Sequence, residues 1–477
     1  MKTILTSLFL IPVFLFLFLS CKTDDATKLS INKQDINLKV GQSDTIRVTV
    51  SYTGEQIKVP VTVTASDNSI VTATILTSKN DIHPDLLSFN VSVVVKALSS
   101  GSARIVIHAG SKEITCTTTF TQTFLKLNQS LVSNYGLAIE TSDNNVFIMN
   151  FLSETFKLNQ TAESVTGYGQ FIHFETLLPA STTSLPAGTY KNNAGGVNIF
   201  LPGDYYEENG NYIPYGTYIV TIENNQVDYT LVKSGQYTVS INGSTYNIEG
   251  DLTTETTEII HFTYSGPISV IDKTEKPEVV NPQFTKGELF FAGDYYNMSL
   301  SNTFILYLET ANVDLNSSTL DGEVLVVQFD TYDFYTNSIP SGIYKVLTKS
   351  QFEDFVVKPF TIVPGNLFLF KDNLIANGSW YYNATSRKRF ISGTVDVTND
   401  SKNYSLKYSF YDRIGSLVTG TYNGTFNFKS MAPSAREMAK STVDKVSNSA
   451  GFSSSARQRT TVFGPIHEKM IRFTGAN

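Results

Sequence analysis

From Leu29 onward the chain alternates apolar and polar positions with a period of two. Asp44-Thr45-Ile46-Arg47-Val48-Thr49-Val50 is one such run, and the pattern recurs at Val59 to Thr64, Val91 to Val95, Ala103 to His108 and Glu113 to Phe120. Successive side chains of a strand point to opposite faces, so each run predicts a half-buried strand. About seven short strands within residues 29–123 predict a β-sandwich. Beyond residue 124 the alternation continues to Phe428, broken by short polar turns and showing no helical period. Strands this close leave no room for crossover helices, which excludes a parallel sheet and leaves an antiparallel meander, either a sandwich or a closed barrel. After Phe428 the pattern stops. Ser434-Ala435-Arg436-Glu437 reads as a capping box, followed by Met438, Thr442, Val443 and Val446 at helical spacing. A short helix and a mobile extension both fit this tail, 429–477.

Residues 124–428 are one unit written twice. Asn145-Val146-Phe147-Ile148-Met149 matches Asn302-Thr303-Phe304-Ile305-Leu306 at an offset of 157, and Ser184-Leu185-Pro186-Ala187-Gly188-Thr189-Tyr190-Lys191 matches Ser338-Ile339-Pro340-Ser341-Gly342-Ile343-Tyr344-Lys345 at 154. Pro202-Gly203 and Gly216-Thr217-Tyr218 match Pro364-Gly365 and Gly378-Ser379-Trp380 at 162. Ser234-Gly235, Val239, Tyr246 and Tyr264-Ser265-Gly266 match Ser392-Gly393, Val397, Tyr404 and Tyr422-Asn423-Gly424 at 158. Islands in one order, with drifts confined to loops, mark a duplicated domain. The copies span 124–271 and 284–428, and the charged, Pro-containing stretch 272–283 reads as a linker.

Composition fits an all-β chain. The 25 Tyr and 32 Phe stand against 6 Met and 1 Trp, which is strand composition. Net charge is −7 and the 36 Lys and Arg form no basic block, so no nucleic-acid footprint is present. Charge is nevertheless uneven. Residues 429–477 hold eight Lys or Arg against three Asp or Glu, a balance of +5, whereas 22–428 hold 27 against 40, a balance of −13.

Lys2 and the apolar stretch Ile4 to Leu19 sit where a signal peptide belongs, giving 1–20 that role. Phe18-Leu19-Ser20-Cys21 resembles the lipobox of bacterial lipoproteins, which implies lipidation of Cys21, a tether over 21–28 and an outer-membrane anchor. Lys22-Thr23-Asp24-Asp25 is similar to the signal that sends lipoproteins of the Bacteroidota to the outside of that membrane. In residues 29–123, Leu38-Lys39-Val40-Gly41, Ser66-Asp67-Asn68-Ser69-Ile70-Val71 and Val95-Lys96-Ala97-Leu98-Ser99-Ser100-Gly101-Ser102-Ala103-Arg104-Ile105 resemble the group 2 bacterial immunoglobulin-like domains. That resemblance implies an immunoglobulin-like spacer without catalysis, held within roughly 20 Å of the anchor by its short tether. With Cys21 acylated, Cys116 has no disulfide partner and is expected to be a buried, inert thiol.

Residues that agree between the copies are expected to serve the shared frame, and a ligand would be chosen where they differ. The first copy carries Tyr205, Tyr206, Tyr212 and Tyr215 in a polar, Gly-bearing loop that the second copy is expected to lack. The second offers Tyr332, Phe334 and Tyr335 beside Asp330 and Asp333, and Trp380-Tyr381-Tyr382, although Trp380 replaces Tyr218 in a strand position that favours the core. Aromatic faces beside Asn and Asp suit sugar rings and their hydroxyls. These ten residues are the candidate contacts.

Catalytic signals are sparse. The five histidines, His83, His108, His173, His261 and His467, form no helical metal pair, and no G-x-S-x-G elbow occurs. Asp314 to Glu323 has Thr319 where a calcium loop needs Gly and reads as a polar turn. The expectation is an anchored, non-catalytic adhesion or binding protein for a glycan or a protein, with no cofactor, no metal and no nucleic-acid partner. An accessory component of an outer-membrane assembly is the alternative. A glycan-processing enzyme, built on two carboxylates close only in space, comes third.

Overall fold

The computed structural model describes residues 28–430, apart from 53–59, 77–87, 140–141, 160–163, 193–197, 209, 297–300, 314–319, 355–357, 371–372 and 401–402. Cys21, the signal segment, most of the polar turn 314–323 and the capping box of the tail lie outside the described residues. Those that are described are almost wholly β, with one five-residue helix, Lys349–Glu353, whose N-terminus is closed by a capping box between Thr348 and Gln351. Among them no helix is long and apolar enough to cross a membrane.

The chain divides into two compact units. The first is a sandwich of two four-stranded sheets. One runs Lys28–Ile31, Ser43–Ser51, Ser88–Ala97, Val71–Leu76, and the other Asp35–Lys39, Lys112–Thr121, Gly101–Ala109, Val61–Ala65. The inward positions of the alternating runs, including Ile46, Val48, Val50, Val93, Val95, Ile105 and Ile107, meet as one core. Cys116 is fully buried there, and burial pushes its thiol up to about 11. Gly101 has φ +143, and a Cβ would come within 2.9 Å of Ile70 Cδ1, which is why that turn takes glycine. Residues 256–261 pack as part of this unit: Ile259 N donates to Val40 O at 2.6 Å and Gln122 Nε2 to Ile259 O at 2.9 Å.

The second unit holds both copies. In the first, strands Thr123–Leu127 and Gln129–Asn134 are separated by Asn128 alone. The latter pairs with Asn144–Leu152, and the ladder passes through Gly169–Pro179, Tyr218–Glu223, Gln226–Asn242 and Thr245–Thr254 to Ile259–Gly266, which lies beside Thr123–Leu127. Val270–Asp272, which follows Ile259–Gly266, pairs in parallel with Val132–Asn134, so the ladder returns to the segment on which it began and closes a barrel. The second copy repeats the path from Lys286–Gly293 through Ser301–Glu309, Val324–Tyr332, Trp380–Tyr382, Arg387–Asn399 and Tyr404–Asp412 to Leu417–Gly424. Part of the expected linker is strand, because Val279–Val280 pairs in parallel with Leu417–Val418 and Val280 packs on the barrel core.

The duplication recurs bond by bond. Tyr190 OH donates to Pro186 O at 2.7 Å, and Tyr344 OH to Pro340 O at 3.0 Å. Tyr264 OH donates to Pro267 O, and Tyr422 OH to Thr425 O. The long fifth strand slips register at Val232/Ser234 in one copy and at Phe390/Ser392 in the other. In Ser301–Glu309 every residue is buried, because Phe304, Leu306 and Leu308 fill the barrel while Ile305 and Tyr307 pack outward against Val326, Trp380 and Tyr382. That outer layer is closed by the hairpin Asn366–Leu367 to Ala376–Asn377, whose Ala376 is buried in it.

Candidate functional site

The strand Val324–Tyr332 ends at Tyr332, paired with Ser301. Next to that pair, the side chain of Asn302 is buried and its Nδ2 donates to Asp333 O at 2.6 Å and Tyr335 O at 3.1 Å. Tyr335 N donates to Tyr332 O at 3.1 Å, so the turn is tied from within and from below. On this fixed turn Tyr332 is 45% exposed and Phe334 67%. Their rings lie parallel at 9° with centroids 5.3 Å apart, and Tyr335 lies 4.6 Å from Phe334. Phe360, at φ +65, meets Tyr332 edge-on at 6.0 Å and seats its other side on Tyr344 of the core. The result is an aromatic platform at one end of the second barrel.

The first barrel builds the same turn. Asn145 Nδ2 donates to Ala180 O at 2.9 Å and Thr182 O at 3.1 Å, yet the side chains presented are those of Pro179, Ala180, Ser181 and Thr182. The turn therefore needs the asparagine and does not need rings. Exposed aromatic area is unfavourable in water unless something covers it, which makes Tyr332, Phe334 and Tyr335, with Phe360, the candidate contact surface.

Asp330 lies beneath this platform. It is fully buried, Thr303 Oγ1 donates to its Oδ1 at 2.8 Å, and its Oδ2 has no hydrogen-bond partner. Burial pushes its carboxyl up to about 8, outweighing the Thr303 bond that pulls the other way. At neutral pH it is mostly a neutral acid.

The other sequence candidates fall elsewhere. Tyr205, Tyr206, Tyr212 and Tyr215 sit on the hairpin Asp204–Glu208 and Asn211–Tyr215, which folds over the barrel wall. Tyr206 and Tyr215 are buried against Val146, Ile148 and Ile139, and Tyr205 is half-buried. Only Tyr212, 71% exposed, faces outward. A contact surface of all four is corrected to that one residue, because the apolar wall beneath needed a cover. The second copy has a hairpin at the matching place, Asn366–Phe370 with Asn373–Asn377, contrary to expectation. Trp380, Tyr381 and Tyr382 are all buried and likewise cannot present a face: Trp380 Nε1 donates to Asn377 O at 2.8 Å, and Tyr381 OH to Glu323.

Two polar clusters were not legible in the sequence. Under the first hairpin His173 is buried, stacked on Tyr218 at 4.5 Å, with Nδ1 2.8 Å from Asn150 Oδ1 and Glu175 beside it. In the second barrel Lys388, 3% exposed, holds Glu278 at 2.7 Å and Asp412 at 3.9 Å. Those carboxylates neutralise a buried cation and do not form an acid–base pair across a cleft. Among the described residues no group of three or more His, Cys, Asp or Glu is placed to hold a metal.

Asp412 Oδ1 accepts from Ile414 N at 3.0 Å and Ser416 N at 2.7 Å, which shapes the turn that projects Arg413. Arg413 Nη1 donates to Ile139 O at 3.1 Å and Ser142 O at 2.7 Å, and Nη2 to Leu137 O. Asp143 beside them pairs with Lys349 at 2.8 Å and with Arg389 at 3.6 Å, and these cations hold its carboxyl below the usual range. The second barrel is thus pinned to the end of the first that carries the Asn145 turn. A hollow of about 810 Å³ remains between them, lined by Asn134, Asn145, Thr182, Asp272, Thr274 and Arg413 among others.

No protein-family model matches the sequence, and no curated protein matches it. Among solved structures, domains 4 and 5 of the S-layer protein SbsC align at 20% identity and TM-score 0.17, over 20% of this chain and 53% of that one. Domains 4–9 of the same protein align at 9% identity and TM-score 0.18, over 84% and 82%. The Yersinia pseudotuberculosis adhesin InvE aligns at 10% identity and TM-score 0.16, over 55% and 68%. In this alignment the chain spans about half the length of the first of these. At such TM-scores the likeness carries no argument, and the architecture rests on the strand pairings themselves.

Proposed function

We propose that the chain is a cell-surface binding protein without catalytic activity, anchored in the outer membrane through a lipid on Cys21, and that the second barrel makes the contact. The observation that carries this reading is the parallel, exposed Tyr332–Phe334 pair on a turn whose counterpart in the first barrel bears no aromatic ring. Ring faces flanked by Asp333 suit the C–H face and hydroxyls of a sugar, so a glycan is the ligand class proposed. The immunoglobulin-like sandwich serves as spacer. The test is a glycan array probed with the full chain and with the Tyr332→Ala, Phe334→Ala double variant. Binding that the variant loses supports the reading, and equal binding by both removes the platform from it.

A second reading, a component of an envelope assembly, draws on the Arg413 contact, which joins barrel to barrel through backbone carbonyls. It expects the full chain to capture an outer-membrane protein and to ignore glycans.

A further inference from the structure

The turn that carries the platform in the second barrel is built in the first with small side chains. Asn145 Nδ2 holds Ala180 O and Thr182 O as Asn302 Nδ2 holds Asp333 O and Tyr335 O. Thr182 N donates to Pro179 O at 2.8 Å, as Tyr335 N does to Tyr332 O at 3.1 Å. Ala180 thus stands where the second copy has Asp333, Ser181 where it has Phe334 and Thr182 where it has Tyr335. Small residues in place of rings leave room. Ala180, Thr182 and Thr183 of the first barrel line the hollow of about 810 Å³ together with Arg413 and Ile414 of the second. Small-molecule sites span roughly 300 to 1,000 Å³, so the hollow has the size of one.

The lining says which ligand fits. Arg413 and Lys273 balance Asp272 and Glu275, so the hollow carries no net charge. Arg413 is already engaged with backbone carbonyls, and Asp272 with Lys276 and Thr274. The groups left over are neutral. The hydroxyls of Thr182 and Thr183 and Oδ1 of Asn145, a residue 5% exposed, enter no hydrogen bond among the described residues. A ligand hydroxyl both donates and accepts, which matches two hydroxyls and an amide oxygen. Leu137, Val270 and Ile414 add aliphatic wall for the C–H faces of a ring. We propose that the hollow between the barrels is a binding site for a neutral mono- or disaccharide, held by Thr182, Thr183 and Asn145. This site is separate from the platform and stands whether or not the platform binds a glycan.

The test is isothermal titration of the full chain with lactose, maltose, cellobiose and N,N′-diacetylchitobiose. At least one of these sugars is expected to bind, and to bind the Tyr332→Ala, Phe334→Ala double variant equally well. Thr182→Tyr places on this turn the residue that the second barrel's turn already carries, and by filling the hollow it should weaken binding at least about tenfold. Thr183→Val, isosteric and at an exposed position, leaves the turn intact and should weaken binding about three- to tenfold, the worth of one hydrogen bond. Failure of every sugar to bind overturns the proposal, as does binding by Thr182→Tyr or Thr183→Val as tight as the parent's. Loss of binding in the double variant would assign the sugar to the platform and overturn it too, so the two readings fail separately.

Discussion

Arg413 Nη1 of the second barrel lies 2.7 Å from the carbonyl oxygen of Ser142 in the first. The same guanidinium also serves Ile139 O and Leu137 O, so one side chain reaches three carbonyls of one turn, of which Ile139 O also accepts from Ser142 N at 3.1 Å. Replacing it by alanine should cost about 2 kcal/mol, the scale of charge-assisted bonds lost together with their partly buried acceptors. Arg413→Ala is therefore expected to lower the melting temperature and to broaden the interbarrel distance distribution between spin labels placed on the two barrels. An unchanged distribution would show that the Asp143 ion pairs hold the junction alone.

Asp330 gives a pH dependence with a definite sign. Its folded value, about 8, lies above the ordinary 3.8, so between those limits the folded state holds a proton that the unfolded chain has released. Stability then falls as pH rises from about 4 to about 8 and levels off above. Below pH 4 both states are protonated and the group contributes nothing. Asp330→Asn should flatten this part of the curve, matching the parent near pH 4 and melting higher at pH 8. A variant that tracks the parent across the whole range would place the carboxyl's titration elsewhere.

Ring truncations separate surface from core. Tyr332→Ala with Phe334→Ala removes exposed area and should change stability by less than about 1 kcal/mol. Trp380→Ala, in a fully buried position, should cost about 3 to 5 kcal/mol. Denaturant midpoints for the two variants check the contrast, and similar losses would mean that the platform supports the fold.

Cys21→Ser should abolish incorporation of labelled fatty acid and release the protein from the membrane fraction, since several acyl chains hold far more firmly than protein contacts alone. Retention of the serine variant in washed membranes would point to another means of attachment.

The tyrosines show where sequence reading ends. Tyr190 and Tyr344 were legible as shared frame because both stand in the Pro-x-Gly-x-Tyr match, and each reaches back to the carbonyl of its own proline. Tyr206 and Tyr215 were not legible as core, because a polar, Gly-bearing loop gives no sign that an apolar barrel wall awaits beneath it. Tyr332 and Phe334 also stand in a polar segment and remain outside, on a turn that Asn302 holds through the carbonyls of Asp333 and Tyr335.

Period-two alternation and the repeated islands determined by themselves that the chain is all-β and that one domain occurs twice, because strand faces and turn residues are local requirements. Barrel closure, the second hairpin, the neutral Asp330 and the Arg413 pin were decided only by the tertiary structure. Each depends on which distant segments share a wall or an end, and no local pattern encodes that.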